Sequence, residues 1–280
     1  MTNRIRDVYV INHRLDPHET ELRVLVEVEK LTPMTEIKGR LLGPRSAYAS
    51  TVEIAYPLRE VGRDGPIEMR VVIPEACWWE PKTPFLYQGP VELWQDGELC
   101  ERVEISHGIR WVQLTSKGLR LNGKPFGLRG RLVDPEFNEG RVSALRDADM
   151  NLLLTARFDA TLGSLGIADR LGIFVLVDWM DYLESLLHDA KTLNKHASCL
   201  GCITHRSEWI DPTMLKVIEP LLMGVSNTAD EIPAGAAFMT CTYDELTKLT
   251  NIDMPKIVFA RQMPRPLPTR PDVIGWIETN

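Results

Sequence analysis

The chain has 280 residues, a formal net charge of −7 at pH 7, and 44% hydrophobic against 25% charged residues. This length suits one large domain or two ordinary ones, and the composition is typical of a globular protein. The negative charge and the lack of a basic stretch with interleaved aromatics predict no nucleic-acid partner and no membrane partner. No apolar run of signal-peptide length opens the sequence, so we expect a cytoplasmic protein.

Period-two alternation of apolar and polar residues runs through the first hundred residues and is typical of half-buried antiparallel strands. An Asp-Gly pair within residues 95–98 predicts a tight hairpin turn. Several short strands separated by turn residues favour a β-sandwich. The predicted strands cover residues 7–12, 21–30, 50–56, 67–73, 90–99 and 100–106.

After His107, short apolar runs alternate with helical patterns, which predicts a parallel α/β domain. Eight strands are expected, and eight is the number that closes a (β/α)8 barrel. The barrel region is shorter than the ~200 residues usual for this fold, so we expect few helices or incomplete closure. The predicted strands start near Phe126, Asn151, Ile173, Gly201, Met223, Ala237, Lys256 and Val273.

Helix signals separate these strands. A three-residue apolar repeat runs from Leu162 to Leu171, and a second follows over residues 183–193. Asp211 followed by Pro212 predicts a helix start. Thr242 and Glu245 have the spacing of a capping box.

Five cysteines at irregular spacing predict reduced, mostly buried thiols rather than a disulfide framework. Cys199 and Cys202 form a C-x-x-C pair, but no second cysteine pair or histidine pair lies at zinc-binding spacing. No glycine-rich phosphate-binding loop is present in the sequence. We therefore expect no metal and no cofactor.

Three blocks of the sequence resemble glycoside hydrolase family 2, the family of β-galactosidase and β-glucuronidase. They are residues 78–93, 107–134 and 169–179. In that family a Trp-x-Pro-x-x-Pro-x-Leu-Tyr motif ends an immunoglobulin-like sandwich, and Gly-x-Arg with an Asn-Gly-Lys-Pro hairpin leads into a barrel. The resemblance implies an immunoglobulin-like β-sandwich over residues 1–108 and a small or truncated (β/α)8 TIM barrel over residues 109–280. The matching residues are Trp79, Pro81, Pro84, Leu86, Tyr87, Gly108, Arg110 and residues 121–130.

The same resemblance locates the family's two catalytic glutamates. His196 and Ser198 match its strand-four pattern, whose Gly-Asn-Glu end then falls on residues 205–207 and places the acid/base glutamate at Ser207. The strand-seven pattern places the nucleophile at Ala260. A retaining glycosidase needs two carboxyl groups roughly 5 Å apart, and neither serine nor alanine supplies one. The resemblance therefore implies a relative without hydrolase activity.

Other polar and aromatic residues fall at predicted strand ends and are candidates for binding. Asp134 stands where the family has histidine, and Asp178 stands where it has glutamate. We expect salt bridges from these two carboxylates to nearby arginines, and either sugar stacking or core packing for the tryptophans. The binding candidates are Asp134, Arg157, Asp178, Trp179, Arg206, Arg261 and Trp276.

Three functions remain open from the sequence. The leading interpretation is a family 2-like protein without catalytic activity, kept for binding a carbohydrate or a protein partner. The alternative is an active O-glycosyl hydrolase with relocated carboxylates, in which Glu208 works with Glu278 or Asp178. The third is a structural module that forms a homo-oligomer over apolar faces left open by missing barrel helices.

Overall fold

The computed structural model describes residues 3–115, 117–156, 158–179, 190–206, 220–226, 233, 235–249, 254–264 and 270–279. The chain divides into two compact units. One consists of Met1–Trp79 with Thr83–Ile109, and the other of Glu80–Lys82 with Arg110–Asn280.

The first unit is an antiparallel β-sandwich, as the sequence predicts. One sheet has the strand order β1-β2-β6-β5 and the other has the order β4-β3-β7-β8. Leu22 and Val24 of the first sheet and Leu41 and Val91 of the second are buried in one shared core. The strands are β1 (Ile5–Arg14), β2 (Glu19–Val28), β3 (Thr35–Arg45), β4 (Ile54–Pro57), β5 (Arg59–Gly62), β6 (Ile67–Pro74), β7 (Leu86–Gln95) and β8 (Glu98–His107).

Two strands of the sandwich, β3 and β5, are absent from the sequence-based prediction. In β3, glycine interrupts the apolar alternation because the neighbouring strand passes very close. A Cβ atom on Gly39 would lie 2.3 Å from the carbonyl oxygen of Pro90. The predicted Asp-Gly hairpin is confirmed, since Asp96 and Gly97 have φ angles of 52° and 82° between β7 and β8.

The second unit contains a closed barrel of eight parallel strands in the order β12 to β19. Every barrel strand starts within two residues of its predicted position. Because β12 pairs with β19 as well as with β13, the barrel is closed rather than incomplete. The strands are β12 (Leu128–Val133), β13 (Leu152–Ala156), β14 (Phe174–Trp179), β15 (Cys199–Thr204), β16 (Leu222–Ser226), β17 (Phe238–Thr242), β18 (Lys256–Ala260) and β19 (Val273–Glu278).

A small antiparallel sheet precedes the barrel. It has the order β11-β10-β9 and is built from Val112–Thr115 (β9), Gly118–Leu121 (β10) and Lys124–Pro125 (β11). Asn122 and Gly123 form its turn with φ angles of 51° and 78°, which confirms the Asn-Gly turn implied by the resemblance.

Helices α1 (Glu139–Asp147), α2 (Phe158–Leu171) and α3 (Tyr243–Leu246) connect barrel strands, and residues 190–194 are also helical. The predicted capping box is confirmed at the start of α3. The predicted helix start at Asp211 lies outside the described residues. No helix in the described part of the chain is long and apolar enough to cross a membrane.

Side chains of the barrel strands alternate between the barrel interior and an outer face. On β13, Thr155 faces outward, since its hydroxyl lies 3.3 Å from that of Thr161 on α2. Successive residues of a strand point to opposite faces, and register partners on neighbouring strands share a face. Following this register round the barrel assigns each strand position that has a register partner. The interior positions near the carboxyl ends of the strands, which we call the barrel mouth, include Leu132, Leu154, Leu176, Asp178, Ile203, Phe259 and Ile277.

A buried ion pair joins the starts of β18 and β19. The Lys256 ammonium is fully buried, 3.1 Å from a carboxylate oxygen of Asp272, and Arg270 lies 2.7 Å from the same oxygen. Removing one partner of such a pair leaves a buried charge without compensation.

We therefore expect Asp272→Asn to lower the free energy of unfolding by about 3 kcal/mol, measured by urea denaturation. Asp149→Asn is the matched control, because Asp149 pairs with Arg129 at an exposed position. Its effect should stay below about 1 kcal/mol. Equal losses in the two variants would contradict a special role for the buried pair.

The same carboxylate predicts a dependence of stability on pH. Burial raises the pKa of Asp272, but hydrogen bonds from Arg270 and Lys256 outweigh it, and the net pKa is lowered. A lowered pKa in the folded state contributes stability above the unfolded pKa of about 3.9 and loses it as the pH falls further. The stability gap between the wild type and Asp272→Asn should therefore narrow below about pH 4. A gap that stays constant from pH 7 to pH 3 would contradict this.

Candidate functional site

The barrel mouth holds a carboxylate–imidazole pair. Asp178, near the end of β14, faces the interior because it is in register with Ala156, whereas its neighbour Val177 packs in the outer core. Asp178 Oδ1 lies 2.8 Å from Nε2 of His205, which directly follows β15. The Asp178 side chain is 23% exposed and the His205 side chain 40% exposed. The sequence predicts an arginine partner for Asp178, and the partner that the structure gives it is this histidine.

Glu278 lies on the outer face of the barrel wall. It is in register with Arg131 of β12, whose Nε lies 3.0 Å from Glu278 Oε2. Trp276, two residues earlier on the same face, is buried against Leu246 of α3. The structure therefore does not bring the Glu278 carboxyl into the interior beside Asp178.

Ala260, the position that the resemblance assigns to the nucleophile, is also on the outer face. It is in register with Glu278 and is buried with Leu246 and Trp276. Phe259 is the interior residue at this end of β18. A shift of the alignment by one residue would place Phe259 or Arg261 at the nucleophile position, and neither carries a carboxylate.

Both candidate stacking tryptophans belong to the outer core. Trp179 is 3% exposed and lies in the cluster that includes Leu165 and Ala168 of α2. The Trp276 ring is also buried, and its centroid is 5.9 Å from that of Tyr243 on α3. The alternative of core packing, which the sequence left open, is the one observed for these two side chains.

The remaining candidates surround the mouth or fall outside the described residues. Asp134 follows β12, while Arg206 and Arg261 follow β15 and β18, and all three are exposed. Arg157, Ser207 and Glu208 lie outside the described residues. In the described part of the chain, no group of three or more His, Cys, Asp or Glu side chains is placed to hold a metal ion.

A polar network at the opposite end of β15 was only partly predicted. Asp169 Oδ1 accepts a hydrogen bond from the Ser198 backbone N–H at 2.7 Å, and Oδ2 lies 2.7 Å from His196 Nδ1. Arg110 donates to the carbonyl of Cys199, and burial lowers the Arg110 pKa to about 10. Catalytic groups of such barrels lie at the carboxyl ends of the strands, so this network is architectural. Arg110 and Asp169 lie in segments that resemble family 2, and His196 and Ser198 match its strand-four pattern, so the resemblance is the sequence signal for this network.

The cysteines are free, and Cys199, Cys202 and Cys241 are buried. Burial raises the pKa of Cys199 to about 12 and that of Cys202 well above its usual value. Burial therefore favours the protonated thiol over the thiolate at both positions of the C-x-x-C pair.

An antiparallel sandwich followed by an eight-stranded parallel barrel defines the class of this protein, and comparison with solved structures gives the same fold. The chain matches a glycosyl hydrolase family 2 member from Bacteroides cellulosilyticus with a TM-score of 0.70 and 19% identity, over 98% of this chain and 46% of that one. The resemblance to glycoside hydrolase family 2 and the predicted fold class are confirmed.

Relatives found by sequence have named activities, but their alignments cover a smaller part of this chain than the structural match does. A β-glucuronidase from Streptococcus agalactiae is 26% identical over 120 residues, which is 39% of this chain and 20% of that enzyme. A β-galactosidase from Thermoanaerobacter pseudethanolicus is 23% identical over 186 residues, 61% of this chain and 24% of that enzyme. The chain thus matches about a quarter or less of these enzymes. No family model matches it.

The placement of Trp179 in the outer core predicts a stability effect. Trp179→Ala should lower the free energy of unfolding by about 3 kcal/mol or more, because it empties a large buried volume. Trp111→Ala is the control, since Trp111 is an exposed side chain of the same unit, and its cost should stay below about 1 kcal/mol. A Trp179→Ala protein as stable as the wild type in urea denaturation would place this ring outside the core.

Proposed function

We propose that this chain is a family 2-like protein that binds a carbohydrate at the barrel mouth without hydrolysing it. One observation carries the proposal. Among the described strand residues that face the interior, Asp178 is the only carboxylate, and His205 already binds it.

Retaining hydrolysis requires a nucleophile and a separate acid/base group, both carboxyls, roughly 5 Å apart. At the assigned nucleophile position, Ala260 and its interior neighbour Phe259 offer no nucleophilic atom. Glu278 is held on the outer face by Arg131. Of the two pairings that the sequence leaves open for an active enzyme, Glu208 with Asp178 is the one that remains, and it stays the alternative.

Binding is supported by the mixture of groups at the mouth. Leu132 faces the interior yet is 42% exposed, and Phe259 is half-buried. Apolar surface beside a few oriented polar groups is the usual composition of a small-molecule site. A sugar has both an apolar ring face and hydroxyls, so its chemistry fits Leu132 together with Asp178 and His205.

The relatives named above are a β-glucuronidase and a β-galactosidase, which supports a glycoside as the ligand class. A protein partner, a homo-oligomer and a cytoplasmic location stay predictions from the sequence.

The proposal predicts no hydrolysis of 4-nitrophenyl β-D-galactopyranoside or 4-nitrophenyl β-D-glucuronide above the uncatalysed rate, measured by 4-nitrophenol release. A working enzyme would accelerate these reactions by at least about 10⁶-fold. Asp178→Asn and Glu208→Gln serve as paired variants. Turnover by the wild type that both substitutions abolish would establish the relocated-carboxylate hydrolase and refute the proposal.

A further inference from the structure

We propose that Asp178 and His205 form a hydroxyl-binding site at the barrel mouth that selects a neutral sugar over a uronic acid. This inference rests on the proposed function and adds to it the class of sugar. It comes from the hydrogen-bonding capacity that this partly exposed pair leaves unused among the described residues.

The pair presents acceptors to a ligand. A carboxylate only accepts hydrogen bonds, so Nε2 of His205 carries the proton that it shares with Asp178 Oδ1. In the neutral ring Nδ1 is then an acceptor, and Asp178 Oδ2 is a second one. Among the described residues, His205 has no further hydrogen-bond partner, so Nδ1 retains its capacity for a ligand.

Hydroxyl groups match this arrangement whichever form the ring takes. A hydroxyl both donates and accepts, so it pairs with Asp178 Oδ2 and with Nδ1 in either protonation state of His205. A ligand carboxylate cannot donate, and it would meet the negative charge of Asp178. The pair therefore favours neutral, adjacent hydroxyls.

Charged residues near the mouth, other than Asp178, could also affect the choice between a neutral sugar and a uronic acid. Arg206 follows His205 directly, and Arg261 follows β18, three strands away from β15. Asp134 follows β12 and adds a second negative charge. Preference for a uronic acid would show that an arginine, and not the Asp178–His205 pair, governs recognition.

Apolar contact for the sugar ring comes from the same interior surface. Leu132 on β12 lies two strands from β14 and exposes 42% of its surface while facing inward. Sugar rings present C–H faces beside their hydroxyls, so one ligand can contact this leucine and the polar pair at once.

The test is isothermal titration calorimetry of the full chain with three probes. They are methyl β-D-galactopyranoside, methyl β-D-glucopyranoside and methyl β-D-glucuronide. We expect one or both neutral glycosides to bind about tenfold more tightly than the glucuronide. Asp178→Asn and His205→Ala should each weaken binding of the neutral glycoside about tenfold, as loss of a hydrogen bond to a charged group does. Asp149→Asn should change the Kd less than about twofold, since Asp149 precedes β13 at the opposite end of the barrel.

The outcomes separate this inference from the proposed function. No binding of any probe by the wild type would refute both. Tighter binding of the glucuronide, or neutral-sugar binding that neither substitution weakens, would overturn the inference and leave carbohydrate binding standing. Thermal melts of both variants check folding, and His205→Ala carries the test if Asp178→Asn is unstable, because His205 is the more exposed partner.

Discussion

Parallel pairing of β12 with β19 closes the barrel, and the rest of the second unit depends on that closure. In a closed sheet the direction of each side chain is set by its neighbours in register. One contact, between Thr155 and Thr161 of α2, identifies the outer face on β13. Register pairing between successive strands then shows that Ala260 and Glu278 are also on the outer face.

The division of strand side chains between the interior and the outer face determines which of their functional groups lie at the barrel mouth. Leucine, isoleucine and phenylalanine occupy many interior positions near the strand ends, as in the packed interior of a TIM barrel. Asp178 is the only carboxylate among the described interior strand positions, and it is bound by His205. The pair has the exposure and the hydrogen-bonding groups to hold a ligand, whereas a glycosidase needs a second carboxyl facing the first.

Much of this fold can be predicted from the sequence because its strongest signals are local. Continuous apolar runs locate the barrel strands, Asn122-Gly123 forms a tight turn, and Thr242 with Glu245 caps α3. Strand β3 was missed because glycine, required by close approach of the next strand, breaks its alternation.

Local sequence signals could not predict whether a candidate side chain lies on the interior or the outer face of the barrel. A strand buried on both faces is apolar on both, so its sequence carries no period from which to tell inside from outside. Trp179 and Trp276 read equally well as sugar-stacking or core residues until the register is known. The pairing of Asp178 with His205 joins a residue of β14 to the residue that follows β15, and it has no local sequence signal.

Covalent trapping tests the central proposal, binding of a carbohydrate without hydrolysis, most directly. Retaining glycosidases form a covalent glycosyl-enzyme intermediate, and a 2-deoxy-2-fluoro glycoside with a good leaving group makes that intermediate accumulate. The chain would be incubated with 2,4-dinitrophenyl 2-deoxy-2-fluoro-β-D-galactoside and examined by intact-mass spectrometry. The account predicts an unchanged protein mass. A stoichiometric mass increase equal to one fluorosugar, mapped to a carboxylate at the barrel mouth, would contradict it.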